Sequence, residues 1–282
     1  MIPNEEQALL DRIESDSQKV IGECTLETKK IVAEATEYYL AMDVSDEFRQ
    51  ALEGYVAELR SDAEDVESQR HAQRVLAALE RKKGLFFLAD KWGQALNRWV
   101  AAHRDSIPMV SSLDDLYRIA PKSKPTKKWS TGVQIVFEQY GEDSVLAFLR
   151  EAIALLTETA AIASAGLSYD NEDKLKGMVL VLTTNRHEED SGLLGELATV
   201  AYKKIPGQGP LSTAVGNLCL NALCDLRGQQ GLVRLSELAN QLEYPANAVG
   251  LAKRKLEEAA KARGVTVQQL ASMTVPEYGL ED

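Results

Sequence analysis

Two lysines beside a glycine-rich turn are the residues in this chain best suited to holding an anion. They lie in Tyr202-Lys203-Lys204-Ile205-Pro206-Gly207-Gln208-Gly209-Pro210. A Pro-Gly-x-Gly turn can aim backbone N–H groups at a phosphate when it opens a helix N-terminus, and adjacent lysines add cations. The candidate anion or nucleic-acid contacts are therefore Lys203, Lys204, Gly207 and Gly209. The plainer reading is a helix-to-helix turn. The glycines then supply positive φ, Gln208 faces solvent, and Pro210 sits near the first turn of the next helix.

A second basic stretch, Pro121-Lys122-Ser123-Lys124-Pro125-Thr126-Lys127-Lys128-Trp129, combines cations with an aromatic ring. Such a patch can stack a base or receive an acidic partner, which makes Lys124, Lys127, Lys128 and Trp129 candidate partner contacts. Its plainer reading is a solvated connector whose tryptophan packs into the domain that follows. The turn at Pro206–Gly209 resembles the hairpin of helix-hairpin-helix DNA binders. It departs from that pattern in placing Gln208 where an apolar residue is usual, and in shifting the following small residue to Ala214.

Other reactive residues are scattered. His71, His103 and His187 have no ligand at HxxxH or HExxH spacing, so neither metal nor cofactor is expected. Cys24, Cys219 and Cys224 form no CxxC, and reduced, buried thiols are the expectation. Glu142-Asp143, His187-Glu188-Glu189-Asp190 and Asp114-Asp115 each suit the positive end of a helix. No nucleophile, base and phosphate loop combine to define a reaction class, so catalysis is not the expectation.

The elements that must position these residues are helical by period. Apolar residues recur at helical spacing over Leu9–Ile21, Ile31–Met42, Phe48–Leu59 and Ala72–Leu79. Ser45-Asp46-Glu47 suits one helix start, and Ser61-Asp62-Ala63-Glu64 reads as a capping box for another. Phe86–His103 is predicted as one aromatic-rich helix whose Phe86, Phe87, Trp92 and Trp99 fill a core. A short helix over Ser112–Ala120 ends this N-terminal region of five or six helices. The proline-broken stretch 121–129 is the predicted connector. Beyond it come Val133–Tyr140, the strongly apolar Val145–Ala165, and a polar loop over Gly166–Asp173.

From Lys174 onward helices pair. Leu175–Arg186 with Leu193–Lys204 make one pair, and Ser212–Arg227 with Leu232–Leu242 make a second that starts roughly 38 residues later, close to the ~40 of helical repeats; Ala246–Arg263 with Val267–Met273 give a third with a shortened last helix. A helix pair of this size cannot bury its apolar face alone, so stacking on neighbours is the physical reason to repeat. The fold class expected is all-α, a HEAT-like α-solenoid over 130–282 preceded by the N-terminal helical region 1–120.

Leu175-Lys176-Gly177-Met178-Val179, Tyr202 to Ser212, Gly216-Asn217 and the ending Gly264-Val265-Thr266…Leu270…Val275-Pro276-Glu277-Tyr278-Gly279-Leu280 occur in a characteristic order. Together they resemble the helical region of a large bacterial family, the molybdate-metabolism-regulator-like proteins, which often carry a WGR domain. The resemblance covers about residues 127–282. It implies a HEAT-like solenoid of uncharacterised biochemical role. The chain has no Trp-Gly-Arg tripeptide, so no WGR domain is expected. The further domain that usually follows the Val-Pro-x-x-Gly-Leu ending is not expected either, because the chain stops at Asp282.

Composition sets the outer bounds. The 282 residues are 45% hydrophobic and 27% charged, enough for a real core. Net charge is −11, with most of the acidic excess in residues 1–120, which disfavours broad nucleic-acid binding by that half. No apolar run reaches the ~18–20 residues of a membrane span, and no basic-then-apolar leader opens the chain. The expectation is a cytoplasmic, non-membrane interaction scaffold for an unidentified protein partner. Nucleic acid is the second reading, and an enzyme with a site between the two regions is a weaker third.

Overall fold

Helical periodicity becomes helix almost throughout. The structure, a computed structural model, describes residues 4–17, 26–42, 44–61, 66–82, 85–121, 125–162, 166–262, 264 and 266–269. Among these, the only strands are two of two residues each. The fold is all-α. The capping box at 61–64, Cys24, Lys124 and the ending 275–280 lie wholly or partly outside the described residues, as does much of Val267–Met273.

The chain separates into two compact units. The first takes in 1–89 with the short segment 168–171. It holds α1 (Asn4–Ser17), α2 (Leu26–Ala41), α3 (Asp46–Ser61) and α4 (Val66–Lys82). Leu10 and Ile13 from α1, Val32 and Ala35 from α2, Phe48, Leu52 and Tyr55 from α3, and Ala72 and Val75 from α4 form one buried cluster. These are the positions that helical spacing marks as apolar.

Ser45 starts α3 with its hydroxyl oxygen accepting from the Phe48 N–H at 3.1 Å. Its own N–H donates at 3.1 Å to the carboxylate of Glu6, which is buried. The cap thus also supplies partners to a buried acid, as burial of a carboxylate requires.

Residues 85–90 depart from the predicted helix. Phe86, Phe87 and Leu88 are buried, but in non-helical chain. Asp90 sets the helix start, because its carboxylate accepts from the Gly93 N–H at 2.7 Å. Leu88 is held by the side-chain amide of Asn171, which accepts from its N–H and donates to its carbonyl, each at 3.0 Å. The polar stretch 166–173 is correspondingly not all loop. Helix α9 (Tyr169–Leu182) begins inside it, with the Ser168 hydroxyl oxygen accepting from the Asn171 N–H at 3.3 Å.

The second unit covers 90–167 and 172–282, so the connector at 121–129 falls within it. It contains α5 (Lys91–Ala102), α6 (Ile107–Arg118), α7 (Lys127–Tyr140), α8 (Glu142–Ile162), most of α9, α10 (Ser191–Ala201), α11 (Thr213–Asp225), α12 (Gln230–Gln241) and α13 (Ala246–Ala262). Helix α8 packs on α5, α7 and α10. Helices α10 to α13 each pack on the next, and α10 reaches α12 as α11 reaches α13.

Gly231 permits one of these approaches. A Cβ there would lie 2.2 Å from the Leu223 carbonyl oxygen on α11. Backbone cannot yield as a flexible side chain does, so Gly231→Ala is expected to cost about 1–3 kcal/mol by overpacking. Urea unfolding would measure it, and an unchanged midpoint would refute the close approach.

Candidate functional site

The lysine-glycine stretch is a small β-hairpin between α10 and α11. Strand β1 (Lys204–Ile205) pairs antiparallel with β2 (Gly209–Pro210), Lys204 opposite Pro210 and Ile205 opposite Gly209. Gly207 and Gly209 take φ of +79° and +95°, a region L side chains rarely enter. Gln208 is exposed and donates its N–H to the Ile205 carbonyl. Ile205 is buried and anchors the hairpin, while Lys203 and Lys204 are exposed. The Lys204 ammonium lies 5.6 Å from the centre of the Tyr244 ring.

This geometry corrects one expectation. Pro210 pairs in β2, two residues before the cap of α11. The helix opens later, where the Ser212 hydroxyl oxygen accepts from the Val215 N–H at 3.1 Å. The glycine turn therefore does not deliver its amides at a helix N-terminus. Tyr202, next to the lysines, is structural. Its ring lies against Gly216, where a Cβ would come within 2.5 Å of it, and its hydroxyl donates to the Asn217 side chain at 2.8 Å.

The basic connector splits. Lys127 and Lys128 are exposed in the first turn of α7. Trp129 is 1% exposed, so its ring fills the core and offers no stacking face. Thr126 caps the helix, its hydroxyl oxygen accepting from the Trp129 N–H at 3.2 Å.

The histidines stay apart. His71 is buried in the first unit, where burial first, then Arg74 and Lys29, holds its pKa below the usual imidazole value. His103 stacks on Trp99 with ring centres 4.1 Å apart. Trp99 also tilts onto Phe148 at 5.1 Å and lines an open cavity of about 400 Å³. Trp92, by contrast, is 1% exposed, so only one of the two tryptophans is wholly core. Cys219 is buried and its thiol pKa is pushed up by burial; Cys224 is half-buried. Among the described residues, no group of His, Cys, Asp and Glu is placed to hold a metal.

No protein-family model, no curated protein and no solved structure matches this chain. The site must therefore be read from its own geometry.

That geometry picks out a corner of the second unit that the residue pattern does not reveal. The turn after α9 and the turn between α11 and α12 are joined by the Arg227 N–H donating to the Arg186 carbonyl at 2.9 Å. Together they line a cavity of about 560 Å³, within the size range of ligand sites. Arg186 sits at φ +56°, uncommon for a residue with a Cβ. Beneath the rim, Arg150 donates to Asp190 at 2.7 Å and to Glu189 at 2.5 Å. Glu142 accepts from the Asn185 amide and lies 3.2 Å from His187 Nε2. The acids 188–190, read from sequence as helix-start residues, do form a 3-10 turn leading into α10.

Glu142 gives this corner a pH signature. Its hydrogen bond from Asn185 first, then that from His187, holds its pKa below the usual carboxylate value. A lowered folded pKa means stability that is present above the unfolded carboxylate range and lost as pH falls through the folded value. The side chain is 40% exposed, so solvent screening keeps the effect to about 0.5 kcal/mol. Glu142→Gln should lower stability by that order at neutral pH, with the gap closing in acid. Denaturant midpoints across pH would check it, and a gap that widens in acid would refute it.

Proposed function

We propose that this chain is a non-enzymatic protein-interaction scaffold of helical-repeat type, with its array in the second unit. The observation that carries the reading is the packing order of α10 to α13. Each helix rests on the next, and α10 reaches α12 as α11 reaches α13, the neighbour-on-neighbour arrangement of stacked helix pairs. The resemblance over 127–282 to the HEAT-like region of the molybdate-metabolism-regulator-like proteins supports the same reading. Those bacterial proteins and a cytoplasmic setting are part of the proposal. No helix among the described residues is long and apolar enough to cross a membrane.

Affinity capture on the full chain from the source organism's extract tests this. A stoichiometric protein partner, lost when the outward residues of α10–α13 are charge-reversed, is the expected result. Recovery of nothing stoichiometric would sink it.

A second reading, nucleic-acid binding at Lys203, Lys204, Gly207 and Gly209, is favoured by one observation. Exposed Lys204 lies over the ring of Tyr244, itself 37% exposed, so a cation and an aromatic face share one patch. This reading predicts affinity that falls steeply with salt. Charge reversal of both lysines with unchanged DNA and RNA affinity would end it.

A further inference from the structure

We propose that His71 is a proton-operated latch on α2: uptake of one proton by its imidazole in mildly acidic solution loosens α2 from α4 while the rest of the first unit stays packed. The inference stands apart from the scaffold reading and concerns how the first unit responds to pH. Its first ground is the position of the ring. His71 lies on α4 and is 6% exposed. Its Nε2 stands 4.0 Å from Glu67 Oε2, and that same oxygen accepts from the Lys29 ammonium of α2 at 3.1 Å. Arg70 lies 3.9 Å from the other oxygen. The carboxylate that ties Lys29 of α2 to α4 thus has the imidazole beside it.

The second ground is the charge around the ring. Helix α4 itself presents Glu67, Arg70 and Arg74, and α2 presents Lys29. Helix α3, also packed on α4, turns Phe48, Leu52, Tyr55 and Leu59 inward, and its described charges Asp46, Glu47, Arg49, Glu53 and Glu58 are exposed. The segment 168–171 brings the Tyr169 ring to 5.3 Å from Arg70, and Asp170, whose N–H donates to Gln73 Oε1 at 3.3 Å. The charges that act on the ring are thus three cations and one carboxylate. Burial first, then Arg74 and Lys29, holds its pKa below the usual imidazole value. With a lowered folded pKa, stability is present above the ordinary imidazole value of about 6.5 and is lost as pH falls toward the folded one. The added proton also sets a second cation at Glu67 Oε2, in competition with Lys29, so the loss falls first on α2.

The test is amide hydrogen exchange on the full chain, read by mass spectrometry on peptides of α2 and α3 and corrected for the pH dependence of intrinsic exchange. It compares about pH 7.5 with about pH 5.5, either side of the ordinary imidazole value. The other histidines, His103 and His187, belong to the second unit. Protection of α2 should fall severalfold, up to the roughly tenfold that one excluded proton of ordinary pKa allows across that window. Protection of α3, which meets α4 through apolar side chains, should fall less. His71→Gln, neutral at both pH values, should abolish the fall. Unchanged protection of α2, an equal fall in α3, or the same fall in His71→Gln would each overturn the proposal. If that variant does not fold, the His71 ring signal in the unaltered chain decides, followed by NMR and assigned against His103→Gln and His187→Gln. Titration below the usual imidazole value, in step with the protection of α2, supports the latch. Titration at or above that value, or out of step with α2, overturns it.

Discussion

Replacing Asp114 with alanine is expected to destabilise the second unit by about 3–5 kcal/mol, the cost of breaking a buried ion pair from one side. Asp114 on α6 is 2% exposed and Lys174 on α9 is 4% exposed. The Lys174 ammonium stands 3.0 Å from Asp114 Oδ1, and Arg118 lies 3.5 Å from the other oxygen. Removing the carboxylate leaves an ammonium buried beside a guanidinium, two like charges without the anion between them. Nearby Tyr117 shows how dry the region is: burial first, then the charge of Asp114, pushes its phenol pKa well up. Urea unfolding of the full chain measures the loss. Pairing Asp114→Ala with Lys174→Met should recover part of it, since replacing both partners also removes the like-charge repulsion between Lys174 and Arg118. A single-variant loss under about 1 kcal/mol would show that Lys174 reaches water once released.

Trp92→Ala should be comparably severe, about 3–5 kcal/mol for emptying a large buried aromatic site. Trp92 is 1% exposed, and its indole N–H donates at 2.8 Å to the Ala152 carbonyl on α8. The side chain therefore fills space and joins two helices far apart in sequence. Trp92→Phe separates the two roles. It keeps the six-membered ring and removes the donor with the smaller ring that carries it, so an intermediate loss of about 1–3 kcal/mol is expected. Thermal unfolding of both variants would read the difference. Equal losses for alanine and phenylalanine would mean the hydrogen bond, and not the volume, holds α5 to α8.

The helices were legible because their apolar positions recur at 3.6-residue spacing, and burial uses that same face. Phe48, Leu52, Tyr55, Val56 and Leu59 illustrate it on α3, every one of them buried. The misreadings have specific physical causes. Phe86, Phe87 and Leu88 are apolar enough to extend α5 on paper, yet Asp90 offers a better start, and a distant amide, Asn171, satisfies the backbone left outside the helix. Local pattern carries no record of a partner 83 residues away. The hairpin has no signature in the sequence, because a two-residue strand leaves no period to detect, although its glycines and exposed Gln208 are readable from turn chemistry.

The arginine corner was legible only in halves. His187-Glu188-Glu189-Asp190 reads as a set of helix-opening acids, and Arg227-Gly228 as an ordinary helix end. Only the fold brings Arg186 to Arg227. Trp129 shows the converse: beside four lysines it looks like a binding residue, but the Thr126 cap starts α7 so that its ring turns inward.

The bond from the Arg227 N–H to the Arg186 carbonyl also bears on how the stack would respond to a mechanical load. It joins successive turns at one end of α10–α12, and a backbone hydrogen bond tolerates only a few tenths of an ångström of stretch before it weakens. At the other end, the hairpin meets the next turn through Lys204 above the Tyr244 ring, a contact with broad geometric tolerance. The two contacts thus differ in how much displacement they tolerate. Bending of α10–α13 would open the contact between Lys204 and Tyr244 before the bond between Arg227 and Arg186.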